Sequence, residues 1–369
     1  MEVNPPASRA PALPTSGVAP RSLGAELRAL AAWSAPLPAC ALVAATLPTA
    51  WIEAYARTIY PHVGWALAGL AGAAPASATE LALVACVAGA AWWVGSAARA
   101  PGVPRRERGF RTARRIVLLL GLLYAWFLNW GILYHRASAA ARWGLDVAGV
   151  DDGALRRLAT RAVTIANRDG PRFAEAPPES LEAERARIAP LVAELIAARD
   201  GARPFIGAPA RVPCVAPAID ALGIDGITSP FFREVLMNGA LAPPHRACVL
   251  AHELAHIAGY AREGEASLVG VLACWTSPDA RDRYSAALFL LDDLAEIPLD
   301  DGRPARAHLG PDARRDLDAE LARNRARRGS LARAMRAAND RYLRAAGDTR
   351  GVASYGDAVR LVAAALGED

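Results

Sequence analysis

Two apolar runs, residues 81–98 (LALVACVAGAAWWVGSAA) and 116–134 (IVLLLGLLYAWFLNWGILY), flank a short stretch holding Arg99, Arg105, Arg106, Arg108, Arg111, Arg114 and Arg115. A helix of about 20 apolar residues matches the roughly 30 Å hydrocarbon core of a bilayer. Runs of this length must either cross a membrane or be buried on every side. The arginine-dense loop between them favours the membrane, because short loops rich in Arg stay on the cytoplasmic side. Trp92, Trp93, Trp130 and Tyr134 stand near the run ends, where aromatic residues anchor at membrane interfaces. A weaker third run, 29–51, is interrupted by Pro36, Pro38 and Pro48, which kink or break a helix. The expected organisation is a disordered tail over 1–28, a membrane domain over 29–136 with spans near 29–51, 81–98 and 116–134, and a folded domain over 137–369. With the arginine loop inside, residues 52–80 and everything after about residue 137 fall outside the bilayer of a bacterial inner membrane, making a multi-pass protein with an extracytoplasmic C-terminal domain. The tail has no compact apolar core of a cleaved signal peptide.

Hydrophobic residues make up 53% of the 369 positions, enough for membrane segments plus one sizeable core. The chain has 42 basic side chains, every one an Arg, and a pI near 9.2. That bias reads as a habit of the source genome together with an orienting loop, so nucleic acid is discounted as a partner and the lipid bilayer is expected as one. Five cysteines form no CxxC pair, which argues against a zinc knuckle or a dense disulfide framework; one disulfide among Cys214, Cys248 and Cys274 stays open.

Residues 137–369 carry helical periodicity over 151–169, 180–200, 279–298, 311–346 and 353–366. Ser277-Pro278-Asp279 and Gly310-Pro311-Asp312 place Pro near a first helical position with an acid in the first turn. The stretch 203–230 instead has the Pro, Gly and β-branched residues of short strands or an extended segment. The expected fold class is mainly α, with transmembrane helices followed by a mostly helical zincin-like domain that has a short strand region.

The chemistry concentrates in CVLAHELAHIAGYAREGEASL. In His252-Glu253-Leu254-Ala255-His256 the i, i+4 spacing puts both imidazoles on one helix face, preset as ligands for Zn2+. Glu253 follows the first ligand and is positioned to take a proton from attacking water and pass it to the leaving group. A catalytic zinc keeps three protein ligands and one open position, and the candidates for the third are Glu263 and Glu265. On one unbroken helix Glu263 lies about 16 Å along the axis from His252, too far to share a metal. The helix must therefore break, and Gly259 is the residue that tolerates the reversal. Cys248, one turn before His252, is a further possible ligand. Tyr284, Tyr355 and Arg283 are candidates for stabilising an oxyanion. His62, His135, His245 and His308 have no neighbours at ligand spacing, and Met335 does not resemble a Met-turn.

Glu263-Gly264-Glu265-Ala266-Ser267 resembles the E-x-x-A-[D/N] element of glutamate-zincins, which implies Glu263 as the ligand and Ser267 as the residue supporting a ligand histidine, with Ser where Asp or Asn is usual. The segments LPTAWIEAYARTIYPHV, WGILYHR, SPFFREVLMNG, HELAHIAGYAREGEASLVGVLAC, RYSAAL and NDRYLRAAGDTRGVASYGDAVRLV together resemble the bacterial domain of unknown function 3810 family over most of residues 45–366. That resemblance implies a membrane-anchored zinc metallopeptidase. The leading expectation is hydrolysis of a peptide or protein substrate outside the membrane. The alternatives are a non-peptidase hydrolase of a cell-envelope amide and a scaffold or sensor in which zinc is structural. No segment offers a nucleotide-binding Gly-rich loop or a serine-nucleophile motif.

Overall fold

A computed structural model describes residues 46–99, 105–327, 329–346 and 357–367. The chain is mainly helical. After Pro48 it enters α1 (Thr49–Ala73), then α2 (Ala78–Arg99) and α3 (Arg105–Asn129), followed by a 3-10 turn at Gly131–His135. The next helices start where side chains cap them. Ser138 Oγ accepts from the Ala141 amide at α4 (Ala139–Trp143), Asp151 from Ala154 at α5 (Asp152–Glu175), and Ser180 from Ala183 at α6 (Leu181–Asp200). Each satisfies an amide that the first turn leaves unpaired.

The stretch expected to be extended carries β1 (Ala210–Arg211), the short α7 (Ala216–Ala221) and β2 (Gly226–Thr228), and a third strand, β3 (Val235–Met237), follows it. The sheet order is β1-β3-β2. β1 runs parallel to β3 with Ala210 opposite Val235; β2 runs antiparallel with Ile227 opposite Leu236. Beyond it come α8 (Pro243–Ile257), α9 (Glu263–Trp275), α10 (Ala280–Leu294), α11 (Pro311–Ala326), α12 (Ser330–Ala346) and α13 (Asp357–Leu366). The periodic stretch 311–346 thus forms two helices, parted at Arg327 and Gly329.

The metal motif sits on the central helix. α8 is covered by α6, α9, α10 and β2, so nearly all of its residues are buried, the polar His252, Glu253 and His256 among them. Leu250, Leu254 and Ile257 pack with Ile188, Val192, Leu268, Val271, Leu288 and Leu291 in one core. A second core joins α1 to the end of α3: Ile52, Ala56, Tyr60, Trp130, Ile132, Leu133 and Tyr134, closed by Ala261 and Leu343. The boundary expected at 136/137 is therefore crossed by buried contacts.

The apolar segments differ from the sequence expectation. Among the described residues no single helix is long and apolar enough to cross a membrane; Thr49–Ala73 and Ala78–Trp92 pass that test only together, bent by 79° at the break between them. The run 116–134 does not continue as one helix. α3 ends at Asn129 and the chain turns at Trp130, φ −141° and ψ −56°. A Cβ on Gly131 would lie 2.7 Å from the Phe127 ring, so a larger residue there would have to push that ring aside. Trp130 and Tyr134, expected at a lipid interface, are buried inside the protein. Residues 1–45, which carry the tail and most of the run 29–51, lie outside the described residues, as does Tyr355.

Candidate metal centre

α8 ends at Ile257, and Gly259 takes φ +96°, the conformation in which a side chain is strained. α9 then begins at Glu263 and runs back along α8, so Gly270 lies against the His252 backbone. The reversal brings Glu263 between the two histidines. Its Oε2 lies 3.2 Å from His252 Nε2 and 3.3 Å from His256 Nε2. Among the described residues His252, His256 and Glu263 form the one group whose ligand atoms all fall within 4.8 Å of one another.

The donor set fits zinc. Atoms bound at about 2.0–2.1 Å at tetrahedral angles lie roughly 3.3 Å apart, which is the spacing from Glu263 to each imidazole. The far ring nitrogens are also fixed. His256 Nδ1 lies 2.7 Å from the Tyr260 carbonyl and His252 Nδ1 3.0 Å from Ser267 Oγ. A carbonyl only accepts, so His256 Nδ1 must carry a proton, and Nε2, which faces Glu263, is the nitrogen that would give its lone pair to a cation in exchange for its own proton. Burial opposes ionisation of Glu263, but the two imidazoles outweigh it and hold the carboxyl well below its usual range. Burial likewise opposes charge on His256, yet Glu263 pushes it up to about 9. A partly buried cluster with one carboxylate held ionised and two imidazoles is an electrostatic setting that a divalent ion would complete.

Glu253 projects toward the sheet. Thr228 Oγ1 donates to its Oε2 at 2.7 Å, and a Cβ on Gly226 would meet Oε1 at 2.6 Å. β2 thus fixes the carboxylate in one position. Ser267 takes the position by His252 that the motif assigns it.

Other candidates go elsewhere. Glu265 pairs with Arg262 at 2.9 Å, whose other amino group donates to the carbonyls of Tyr134 and Arg136; it ties the loop down and is not in the ligand group. Tyr284 is fully buried and donates to Asp316 at 2.8 Å, while Arg283 pairs with Asp169 at 2.9 Å. Cys248 is buried beside Cys274 on the α8–α9 contact, and both are free thiols outside the ligand group. Sequence reasoning missed Trp130, whose ring centroid is 5.3 Å from that of His256. It also missed Tyr342, whose hydroxyl is raised by burial and by the nearby Glu263 charge. Trp130 hid inside an apolar run read as lipid-facing, and Tyr342 arrives from a helix far along the chain with no local motif.

The chain is mainly helical and carries, on two reversing helices, a His-His-Glu cluster that could hold a metal ion. It belongs to the family described as protein of unknown function (DUF3810), whose model matches residues 55–363. No curated protein and no solved structure matches it.

Proposed function

We propose that the protein is a membrane-anchored zinc metallopeptidase of zincin type, with the metal domain on the extracytoplasmic face of a bacterial inner membrane. The observation that carries the reading is the 3.2 and 3.3 Å spacing of Glu263 from the two imidazoles, the spacing of tetrahedral zinc ligands. His252, His256 and Glu263 would hold the ion. Zinc bound there supplies a Lewis acid that polarises a carbonyl and acidifies water. Glu253 takes the proton from the attacking water and returns it to the departing amide nitrogen. Thr228 holds that carboxylate in place. β2 is paired with β3 on one side, and its other edge aligns the substrate as an added strand. A structural-zinc reading calls for a fourth Cys or His ligand, and the nearest cysteines are turned to the helix contact.

The test is zinc content beside cleavage of a peptide library by detergent-purified protein. Wild type should hold about one zinc, His256→Ala should lose it, and Glu253→Gln should keep it while cleavage falls by a factor of at least about 100. Zinc absent from wild type, or cleavage surviving in Glu253→Gln, overturns the reading.

A further inference from the structure

α1 has two faces. Ile52, Ala56, Tyr60, Gly64, Ala68 and Ala71, spaced by three or four, are buried along its whole length. Tyr60 meets Gly259, Gly64 meets Phe205, and Arg211 donates to the Ala74 carbonyl at 3.0 Å. The opposite face exposes Trp51, Ile59, Trp65 and Leu70, with His62 and the half-buried Tyr55 among them and Arg57 exposed at the flank. Aromatic and aliphatic residues on one side, with protein on the other, describe a helix lying in a membrane interface.

α2 leaves this layer. Its start is held by Glu234, which accepts from Ser77 Oγ at 2.8 Å and the Thr79 amide at 3.1 Å. Beyond that point Leu81, Leu83, Val84, Val87 and Trp92 are exposed all round the helix. A helix apolar on every side and packed on none is one that enters hydrocarbon. The 79° bend then sets α1 nearly parallel to the bilayer plane, with its exposed face toward lipid and the metal domain above. α3 ends at the same level: the Leu128 carbonyl accepts from Tyr55 on α1 at 2.7 Å, and two residues later the Trp130 ring lies 5.3 Å from that of His256, tilted by 56°.

Resting on the peptidase reading above, we propose that the substrate is a polypeptide anchored in the same bilayer and cut within about five residues of its surface. The metal ligands are one side-chain layer from where α3 meets the membrane, and an extended chain covers only about 3.3 Å per residue. A substrate tethered there is delivered to the metal at high effective concentration.

The full chain, reconstituted with zinc in phosphatidylglycerol–phosphatidylethanolamine vesicles, would be given one peptide library in three forms: joined directly to a transmembrane anchor, joined through a spacer of about 20 Gly/Ser residues, and free. At least tenfold preference for the directly anchored form is expected. Equal cleavage of all three forms overturns the inference and leaves the peptidase reading standing, whereas zinc-loaded protein that cuts none of them overturns both. An activity-independent readout is quenching of tryptophan fluorescence by lipids brominated near the headgroup. Part of the quenching should disappear in Trp51→Phe/Trp65→Phe; quenching unchanged by that double substitution overturns the inference even if peptides are cut.

Discussion

At the scale of single residues, the site depends on small groups that hold larger ones still. Ser267 reaches the far nitrogen of His252, so Ser267→Ala should weaken zinc binding by about ten- to a hundredfold, while Ser267→Asn, able to accept or donate at the same place, should restore most of it; competition with a chelating dye reads both. Gly226 abuts the Glu253 carboxylate, so Gly226→Ala should displace the base, keep zinc content near one per chain, and lower turnover by about ten- to a hundredfold. A parallel loss of zinc would show that the methyl group disturbs the histidines instead. These residues also mark what was legible in the sequence. His252, Glu253 and His256 announce themselves by spacing, and Gly259 by the need for a reversal. Glu263 and Glu265 could not be parted by pattern, because which carboxylate faces the two histidines depends on where α9 starts and on Arg262, which engages Glu265. Thr228 lay in a stretch recognisable as extended, but its hydroxyl has meaning only once β2 is laid across α8.

At the scale of elements, α8 and α9 act as one reversing pair. Most of the helix pattern was legible because start signals such as Pro278-Asp279 sit next to the helix they open, although Asp279, read as a first-turn acid, is the cap that accepts from the Arg281 amide. The close crossing was not. Gly270 reads as a weak point in a helix, yet a Cβ there would lie 2.8 Å from the His252 amide nitrogen. Gly270→Ala should cost about 1–3 kcal/mol of stability through overpacking and reduce zinc affinity with it, measured by denaturant unfolding with and without metal. At the other end of α8, burial holds His245 below its ordinary value, against the pull of Glu320 and Asp316 and in line with Arg323. The positive end of the helix also disfavours a charged imidazole there. With the folded value depressed, the unfolded chain binds the extra proton first as acidity rises, so stability should fall as pH drops below about 6.5. His245→Gln should flatten that fall, and unfolding midpoints between pH 5 and 8 for the two proteins give the comparison.

At the scale of the whole molecule, the question is what joins the apolar helices to the helical domain that carries His252, His256 and Glu263. Periodicity separated them into two units, and it could not do otherwise, since the joining groups are single polar residues inside apolar surroundings. Arg136 donates to Glu53 on α1 at 2.9 and 3.2 Å and to the Gly259 carbonyl at 3.1 Å. Glu234 clamps the start of α2. Arg233, fully buried with φ +51°, lies 3.8 Å over the Tyr60 ring and reaches the carbonyls of Ile257 and Asn129. A non-glycine residue held in the left-handed region costs about 1–2 kcal/mol, which this fold accepts in order to aim one guanidinium at α1, α3 and the end of α8 together. Arg233→Met should therefore cost about 3 kcal/mol or more, because two buried carbonyls lose a donor while the backbone strain stays. Tyr60→Leu alone removes the ring but leaves those hydrogen bonds. A double-mutant cycle of the two, read by denaturant unfolding in detergent, should give a coupling of about 1–2 kcal/mol, the range for a desolvated cation on an aromatic face. A coupling near zero would mean that Arg233 holds the units together through its carbonyl contacts, with the Tyr60 ring only filling space beside Gly259.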